Sequence, residues 1–285
     1  MSAYDLRLLE LDATDIRAIT GLLQRVFPDA EHFTEEVVSW EYAANPDGHA
    51  VGFNAWIGEE LAAHYVTIPL LARVKGKEER GLLSLNTATA PEHQGKGLFT
   101  KLADSTYRYA AKNGYGFVVG VANANSTHGF IRKLGFQLVS PLRAMAGVGA
   151  LKRVEYDALQ YERVWHRDAL KWRLAHPLYN YSVKHADGLD LLMSERMQMG
   201  GRLLLAAMDR SAMHGVELPE FKGLAPFRIW VGLDPGFKWG LRPYVNIPVK
   251  LRPSPLNLIF KDLTGQGRSL DPERIRFQAI DFDTL

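Results

Sequence analysis

The segment Leu83-Ser84-Leu85-Asn86-Thr87-Ala88-Thr89-Ala90-Pro91, continued by Glu92-His93-Gln94-Gly95-Lys96-Gly97-Leu98-Phe99, holds the residues best suited to chemistry. An apolar strand runs into a glycine-containing loop that opens a helix, and such a loop turns several backbone N–H groups toward an anion at the positive helix end. A pyrophosphate matches that arrangement. Glycine serves twice there, by accepting positive φ and by lacking a side chain that would keep a phosphate from the backbone. Lys96 adds a mobile cation at the edge. Two nucleotide alternatives fail on spacing. A dinucleotide fold wants G-x-G-x-x-G after its first strand and an acidic residue about 20 positions on, and a Walker loop wants Ser or Thr where Gly97 follows Lys96.

Holding that loop in place takes a definite succession of elements. Aliphatic residues over 4–11 predict a strand, after which Asp12 or Thr14 caps a helix running to about Phe27 and ended by Pro28. A second helix over 34–44 opens on Thr34, with Glu35 and Glu36 behind it, and stops before Asn45-Pro46. Strands follow at 50–57, 61–71 and 82–90, with Gly58-Glu59-Glu60 and residues 75–80 as turns. The helix over 98–113 places Phe99, Leu102, Ala103, Thr106 and Ala110 on one face. A strand over 117–121, a short helix over 127–134 and a strand from Gly135-Phe136 complete the order β-α-α-β-β-β-α-β-α-β by about residue 145.

The second half is less regular. A helix over 161–175 contains Trp172 and stops at His176-Pro177, echoing Trp40 and Asn45-Pro46, and strands over 189–194 and 202–208 follow across Gly200-Gly201. A chain of 285 residues suits two domains. The expected division is a cofactor-binding domain at 1–146 and an α/β domain at 147–285 on the acceptor side. That second domain is either a degenerate copy of the first or an unrelated α/β extension, and no second cofactor loop is expected in it.

Bulk properties narrow the function class. Composition is 47% hydrophobic and 23% charged, as in ordinary globular proteins. Lysine plus arginine number 34 against 32 aspartate plus glutamate, which leaves no field for a polyanion and no expected nucleic-acid partner. The start MSAYDLRLLELDATD lacks a basic region followed by an apolar core, and no stretch approaches the roughly 18 apolar residues of a membrane span. A cytoplasmic setting without membrane association is therefore expected. With no cysteine there are no disulfides, thiolate metal sites or cysteine nucleophile, and nine histidines without HxxxH or HExxH spacing make a metal site unexpected.

Gln94-Gly95-Lys96-Gly97-Leu98-Phe99 resembles the pyrophosphate loop of the GNAT superfamily of N-acetyltransferases, whose pattern is [RQ]-x-x-G-x-[GA], with Phe99 departing from the last position. Phe130-Ile131-Arg132-Lys133-Leu134-Gly135-Phe136 is similar to the family's [FY]-Y-x-K-x-G-F ending. The resemblance covers about 4–144 and implies a GNAT fold, α/β with a mixed central sheet. It implies acetyl-CoA or another short acyl-CoA as cosubstrate, with no metal. In that family the preceding strand meets the pantetheine arm, which here places Leu85, Thr87, Ala88 and Thr89 along it, with Thr87 and Thr89 nearest. Gln94, Gly95, Lys96, Gly97, Leu98 and Phe99 would hold the pyrophosphate, and Asn123 and Asn125 match the polar positions that meet the cofactor arm. Two strands parting at Thr87 and Val121 would supply the cleft. The implied reaction is acyl transfer to a primary amine. The long form with its Arg252-Pro253-Ser254-Pro255-Leu256-Asn257 segment resembles members that acylate nucleotide-linked amino sugars for surface polysaccharides. Aminoglycosides, polyamines, amino acids and protein amines are alternative acceptors, a non-catalytic acyl-CoA-binding module is an alternative role, and a homodimer is a possible assembly.

Ile131 stands where many members carry a tyrosine that protonates the departing thiolate, so a proton carrier must be sought elsewhere. His128, three residues before Ile131 and one turn from Asn125, is the first candidate, against an ordinary surface histidine. Asn125 is counted with it at the reacting centre. His64, in the third strand, is the second, against a histidine satisfied within the sheet. His93 is expected to face solvent. Trp40, Tyr42 and Trp56 are either an acceptor pocket or core. Arg252 in its proline-flanked segment either meets an anionic acceptor group or forms a rigid turn, and Asp281-Phe282-Asp283 either holds an ammonium group or is a solvated terminus. With no cysteine and no legible serine–histidine pair, transfer is expected to be direct, without an acyl-enzyme.

Overall fold

A computed structural model describes residues 4–151, 153–186, 188–197, 201–223, 227–241, 243–252 and 254–282. Gly200, Pro253 and Asp283, and with them parts of three expectations above, lie outside the described residues. The first half runs β1 (Asp5–Leu8), α1 (Ala13–Val26), α2 (Glu35–Ala43), β2 (Val51–Ile57), β3 (Glu60–Val74), β4 (Lys77–Thr89), α3 (Leu98–Lys112), β5 (Phe117–Ala122), α4 (Ala124–His128) and β6 (Gln137–Pro141). The succession matches the expected order, and the caps are the expected ones. Asp12 accepts from the N–H groups of Thr14 and Asp15, and Thr34 from that of Val37.

Two local expectations change. The turn expected at 75–80 shrinks to Lys75 and Gly76, both at positive φ, and the hairpin continues as paired strands through Lys77–Arg80, whose charged side chains reach solvent. The helix expected over 127–134 starts earlier: Asn123 forms a capping box with Ser126, α4 follows, and Gly129–Lys133 then winds as a π-helical turn.

After β6 come β7 (Arg143–Gly147), β8 (Tyr161–Arg163), α5 (Arg167–Leu174), β9 (Tyr181–Ala186), β10 (Leu189–Arg196), β11 (Arg202–Asp209), β12 (Arg228–Leu233), β13 (Tyr244–Asn246), β14 (Asn257–Asp262) and β15 (Ile275–Gln278). The helix expected over 161–175 is a strand followed by a shorter helix. Tyr161 and Arg163 are buried in alternation beside β3, and His166 then caps α5 through its ring, accepting from the N–H of Ala169.

All fifteen strands among the described residues join one mixed sheet. In the first half β1, β2, β3 and β4 are antiparallel neighbours and β4 runs parallel to β5. On the far side of β5 lies β14, antiparallel to both β5 and β6. The second half repeats this pattern: β9, β10 and β11 are antiparallel, β11 is parallel to β12, and the far neighbour of β12 is β7. Each half thus contributes a strand to the other's sheet, so the sheet crosses the expected boundary at 146/147 in both directions.

β3 is buried almost without interruption from Leu61 to Leu70, because helices cover both faces of the sheet. Ile16, Ile19, Leu23, Val38 and Tyr42 of α1 and α2 pack on one face, and Leu98, Leu102, Ala103 and Tyr107 of α3 on the other. Trp40 and Trp172, the two halves of the sequence echo, stack on each other at 4.9 Å. Tyr42 and Trp56 belong to the core rather than to a pocket. No helix among the described residues is long and apolar enough to cross a membrane.

Candidate active site

Parallel pairing of β4 with β5 ends at Ser84 opposite Gly120, three residues earlier on β4 than expected, and the strands part beyond it. The divergence has a local cause. A register shift between β3 and β4 falls at Asn86, which takes the left-handed φ of 42° and donates from Nδ2 to Glu41 Oε2 at 2.6 Å. Below the fork Tyr65 hydrogen-bonds Ser84 Oγ at 2.9 Å. Burial pushes this phenol up to about 12, which keeps its proton in place.

A cavity of about 290 Å³ fills the gap. One wall is Leu85, Asn86 and Thr87, the opposite wall Gly120 and Val121, with Ile259 of β14 behind. Phe27, Ala30, His32 and Phe33, from the segment joining α1 to α2, close it above, and Asn123, Ser126 and Phe130 close it at the end of β5.

Next to this gap lies the loop. Gln94, Gly95, Lys96 and Gly97 are exposed, both glycines have φ +74°, and Gly97 is the N-cap of α3. The other four α-helices receive a hydrogen bond from a side chain at the N-cap, whereas α3 receives none. The first-turn N–H groups of α3 are therefore left for a ligand, and they sit at the positive end of a helix of 15 residues. Lys96 Nζ rests 5.9 Å from the Tyr4 ring.

The other expected cofactor residues divide by side-chain direction. Leu98 is buried in the core, and Phe99 packs edge-on against Tyr65 and Phe130, so both face the protein and only their main chain borders the loop. Ala88 is likewise buried, paired with His64 across the strands, while Leu85, Thr87 and Thr89 are half-exposed. Asn123 lines the cavity while its Oδ1 caps α4.

The proton-carrier expectations need correction. On α4 the residues facing the cavity are Asn123, Ser126 and then Phe130, at helical spacing; Asn125 and His128 share a different face and are exposed outside the lining. His64 is sealed in the sheet: Nδ1 donates to Asn54 Oδ1 at 2.7 Å, the Tyr42 hydroxyl donates to Nε2 at 3.2 Å, and burial pushes the imidazole down to about 3, so it is neutral near pH 7. His93, expected in solvent, is buried and bonded to the Tyr4 hydroxyl at 2.9 Å. Arg252 directs its guanidinium to the carbonyls of Leu142 and Ile247 and to Asn246 Oδ1, a clamp rather than an anion receptor. Asp281 is buried, accepts from Trp165 Nε1 at 2.9 Å, and is pushed up to about 6 by burial. Sequence reasoning missed His32, the one ionisable side chain on the cavity lining among the described residues.

Residues 7–139 match the family described as acetyltransferase (GNAT) domain. Residues 7–139 are a GNAT acetyltransferase domain. The chain carrying this GNAT domain is an N-acyltransferase of that type, a class that draws its acyl group from acyl-CoA. Its fold is similar to that of a probable N-acyltransferase from Enterococcus faecalis V583 (TM-score 0.60, 10% identity, 91% of this chain and 73% of that one). It is similar also to a GCN5-related N-acetyltransferase from Anabaena variabilis (0.59, 11%, 91% and 73%) and to Eis1 from Mycobacterium abscessus (0.59, 11%, 92% and 74%). At such identities the likeness is one of fold, and it extends past the GNAT domain into the second half. No curated protein matches the chain.

The loop geometry of the GNAT domain carries a direct prediction. Among the described residues, no atom beyond its chain neighbours lies within 4 Å of a Cβ built on Gly97, yet its φ of +74° is strained for any L side chain. A left-handed conformation costs a side-chain-bearing residue about 1–2 kcal/mol, so Gly97→Val should let the exposed loop relax out of its cradle while the core stays folded. CoA affinity measured calorimetrically should fall about tenfold or more, with Lys96→Ala staying within about tenfold because an exposed cation adds little. Unchanged affinity in folded Gly97→Val would remove the loop from the cofactor site.

Proposed function

We propose that this protein transfers an acetyl or short acyl group from acyl-CoA to a primary amine inside the gap between β4 and β5. The observation that carries this reading is the fork itself: paired parallel strands that separate after Ser84 and Gly120, beside a helix whose N-terminus has no side-chain cap. In this reading the diphosphate lies on Gly95–Leu98 and the pantetheine arm follows Leu85–Thr89 into the gap.

The chemistry asked of the chain is modest. The amine nitrogen, once unprotonated, attacks the thioester carbonyl carbon; the C–S bond breaks; and the sulfur leaves as a thiolate that takes up the proton the attacking nitrogen sheds on becoming an amide. Main-chain N–H groups exposed where β4 leaves β5 are the donors for the oxygen on which charge develops. His32 is the group we assign to receive the ammonium proton. Asn123 and Ser126 hold each other through Oδ1 and Oγ at 3.0 Å, so they shape the pocket rather than exchange protons.

Nucleotide-linked amino sugars are the first acceptors to try, beside aminoglycosides, polyamines and amino acids. The test is thiol release from acetyl-CoA with this panel, followed by mass spectrometry of the products. Expected is release with one amine class, with an acetyl group on its nitrogen. Tight CoA binding with no thiol release for any amine would overturn the reading.

A further inference from the structure

A second cavity lies away from the fork, where β3, β8, β11 and β15 approach one another. Its volume is about 180 Å³, and Arg73, Arg153, Arg163 and Arg276 all line it. The fold brings them together because β8 pairs with the end of β3, setting Arg73 opposite Glu162, and runs parallel to β15, setting Arg276 opposite the same glutamate. Arg163 lies on the same strand with its side chain only 2% exposed, stacked 3.7 Å from the Trp165 ring.

Donors and acceptors at this cavity do not balance. The carboxylates on its lining have partners. Glu162 accepts from Arg73 and from Arg276 Nη1, Asp209 from Arg153 Nη1 at 3.0 Å, and Asp281 from Trp165 Nε1 and the N–H of Gln278. The guanidinium groups are the ones left over. Nε and Nη2 of Arg163, Nε of Arg153 and Nε of Arg276 are buried without a hydrogen-bond acceptor. Two carboxylates outside the lining stand near these groups: Asp47 Oδ2 is 3.6 Å from Arg163 Nη2 and Asp234 Oδ2 is 3.7 Å from Arg276 Nε, both beyond hydrogen-bonding distance, while Arg153 Nη2 reaches Asp234 Oδ2 at 3.5 Å. A buried donor left unpaired costs about 1–3 kcal/mol, more when charged, so the site favours a ligand rich in acceptor oxygens. The free donors come from three guanidinium groups on three separate segments. A planar carboxylate offers two oxygens in one plane, whereas a tetrahedral oxyanion faces three directions at once.

We propose that this cavity binds a phosphate group, as the free ion or as the phosphate of a small metabolite, through Arg153, Arg163 and Arg276. The site is separate from the acyl-transfer gap and does not depend on the reading of that gap.

Inorganic phosphate titrated calorimetrically at constant ionic strength is the probe. Saturating CoA should be present so that the loop at Gly95–Gly97 is already filled. One phosphate per chain is expected. Ala212 is exposed on the cavity lining, so Ala212→Glu adds a carboxylate there without disturbing the core, and phosphate affinity should drop about tenfold or more. Tighter binding of glycerol phosphate than of inorganic phosphate would assign the site to a phosphorylated metabolite, and the reverse order to the free ion. No phosphate uptake by the CoA-saturated protein at millimolar concentrations overturns the proposal, as does equal binding by Ala212→Glu or binding of malonate in preference to both phosphates.

Discussion

Ending the chain at Leu256, just before β14, is expected to abolish cooperative folding even though residues 1–146 are all present. Leu258, Ile259 and Phe260 are buried completely or almost so between β5 and β6. Burial of such a side chain contributes about 1.5–3 kcal/mol, so three amount to about 5–9 kcal/mol, against a typical domain stability of about 5–15 kcal/mol. The cut also unpairs β5 from Phe117 to Ala122 and removes β15 with Ile275 and Phe277. Thermal unfolding followed by circular dichroism should show no sharp transition in the truncated chain. A cooperative melt near that of the full protein would mean that β14 is an accessory strand. The consequence reaches the cavity: β14 supplies Ile259 to the wall of the gap between β4 and β5, so its loss removes the gap along with the fold. Acceptor use cannot be dissected by separating the halves.

The same strand marks the limit of what the sequence makes legible. The loop at Gln94–Phe99 can be read because its signal is local: two glycines at a spacing that needs positive φ, ahead of an amphipathic helix. The caps at Asp12 and Thr34 are legible for the same reason. Pairing of β14 with β5 joins residues more than a hundred positions apart, and nothing in Asn257–Asp262 specifies which apolar strand it will join. The reciprocal placement of β7 beside β12, with Arg228 opposite Gly147 and Gly232 opposite Arg143, is also non-local. Together they support the proposal that the second half is a GNAT-like copy. In that copy the opening between β11 and β12, whose pairing ends at Leu204 and Trp230, is occupied by β15, with Gln278 Oε1 accepting from the N–H of Ala207. No α-helix lies between β11 and β12 among the described residues, where the first half has its loop and α3 between β4 and β5.

The proton carrier shows a different limit. Proximity in sequence to Ile131 favours His128, but a helix turns about 100° per residue, and a neighbour in sequence is not a neighbour in space. The usable signal was Asn123. Once it is seen as the N-cap, Ser126 and Phe130 follow on its face, and His128 falls elsewhere. His32 leaves no such trace, because its role comes from the segment after α1 folding over the fork.

Replacing His32 should therefore have the largest effect on catalysis among the histidine changes. It borders the cavity with Leu85, Asn86 and Thr87, and its ring lies 4.2 Å from that of Phe33, which fixes its position on the lining. A primary amine arrives mostly as an ammonium ion and cannot attack until it loses a proton, and a positioned base contributes about 10²–10⁴-fold to such a step. His32→Ala should lower kcat by about 10²-fold and keep CoA affinity within a few-fold. His128→Ala is the matched control and should change the rate by less than about twofold, since that side chain is exposed outside the lining. His64→Ala should instead lower stability, because it leaves the buried Asn54 Oδ1 without its donor. A full rate in His32→Ala, or a large loss in His128→Ala, would sink the assignment. With neither histidine needed, the amine would shed its proton to water, and the fork would act through positioning and main-chain hydrogen bonds alone.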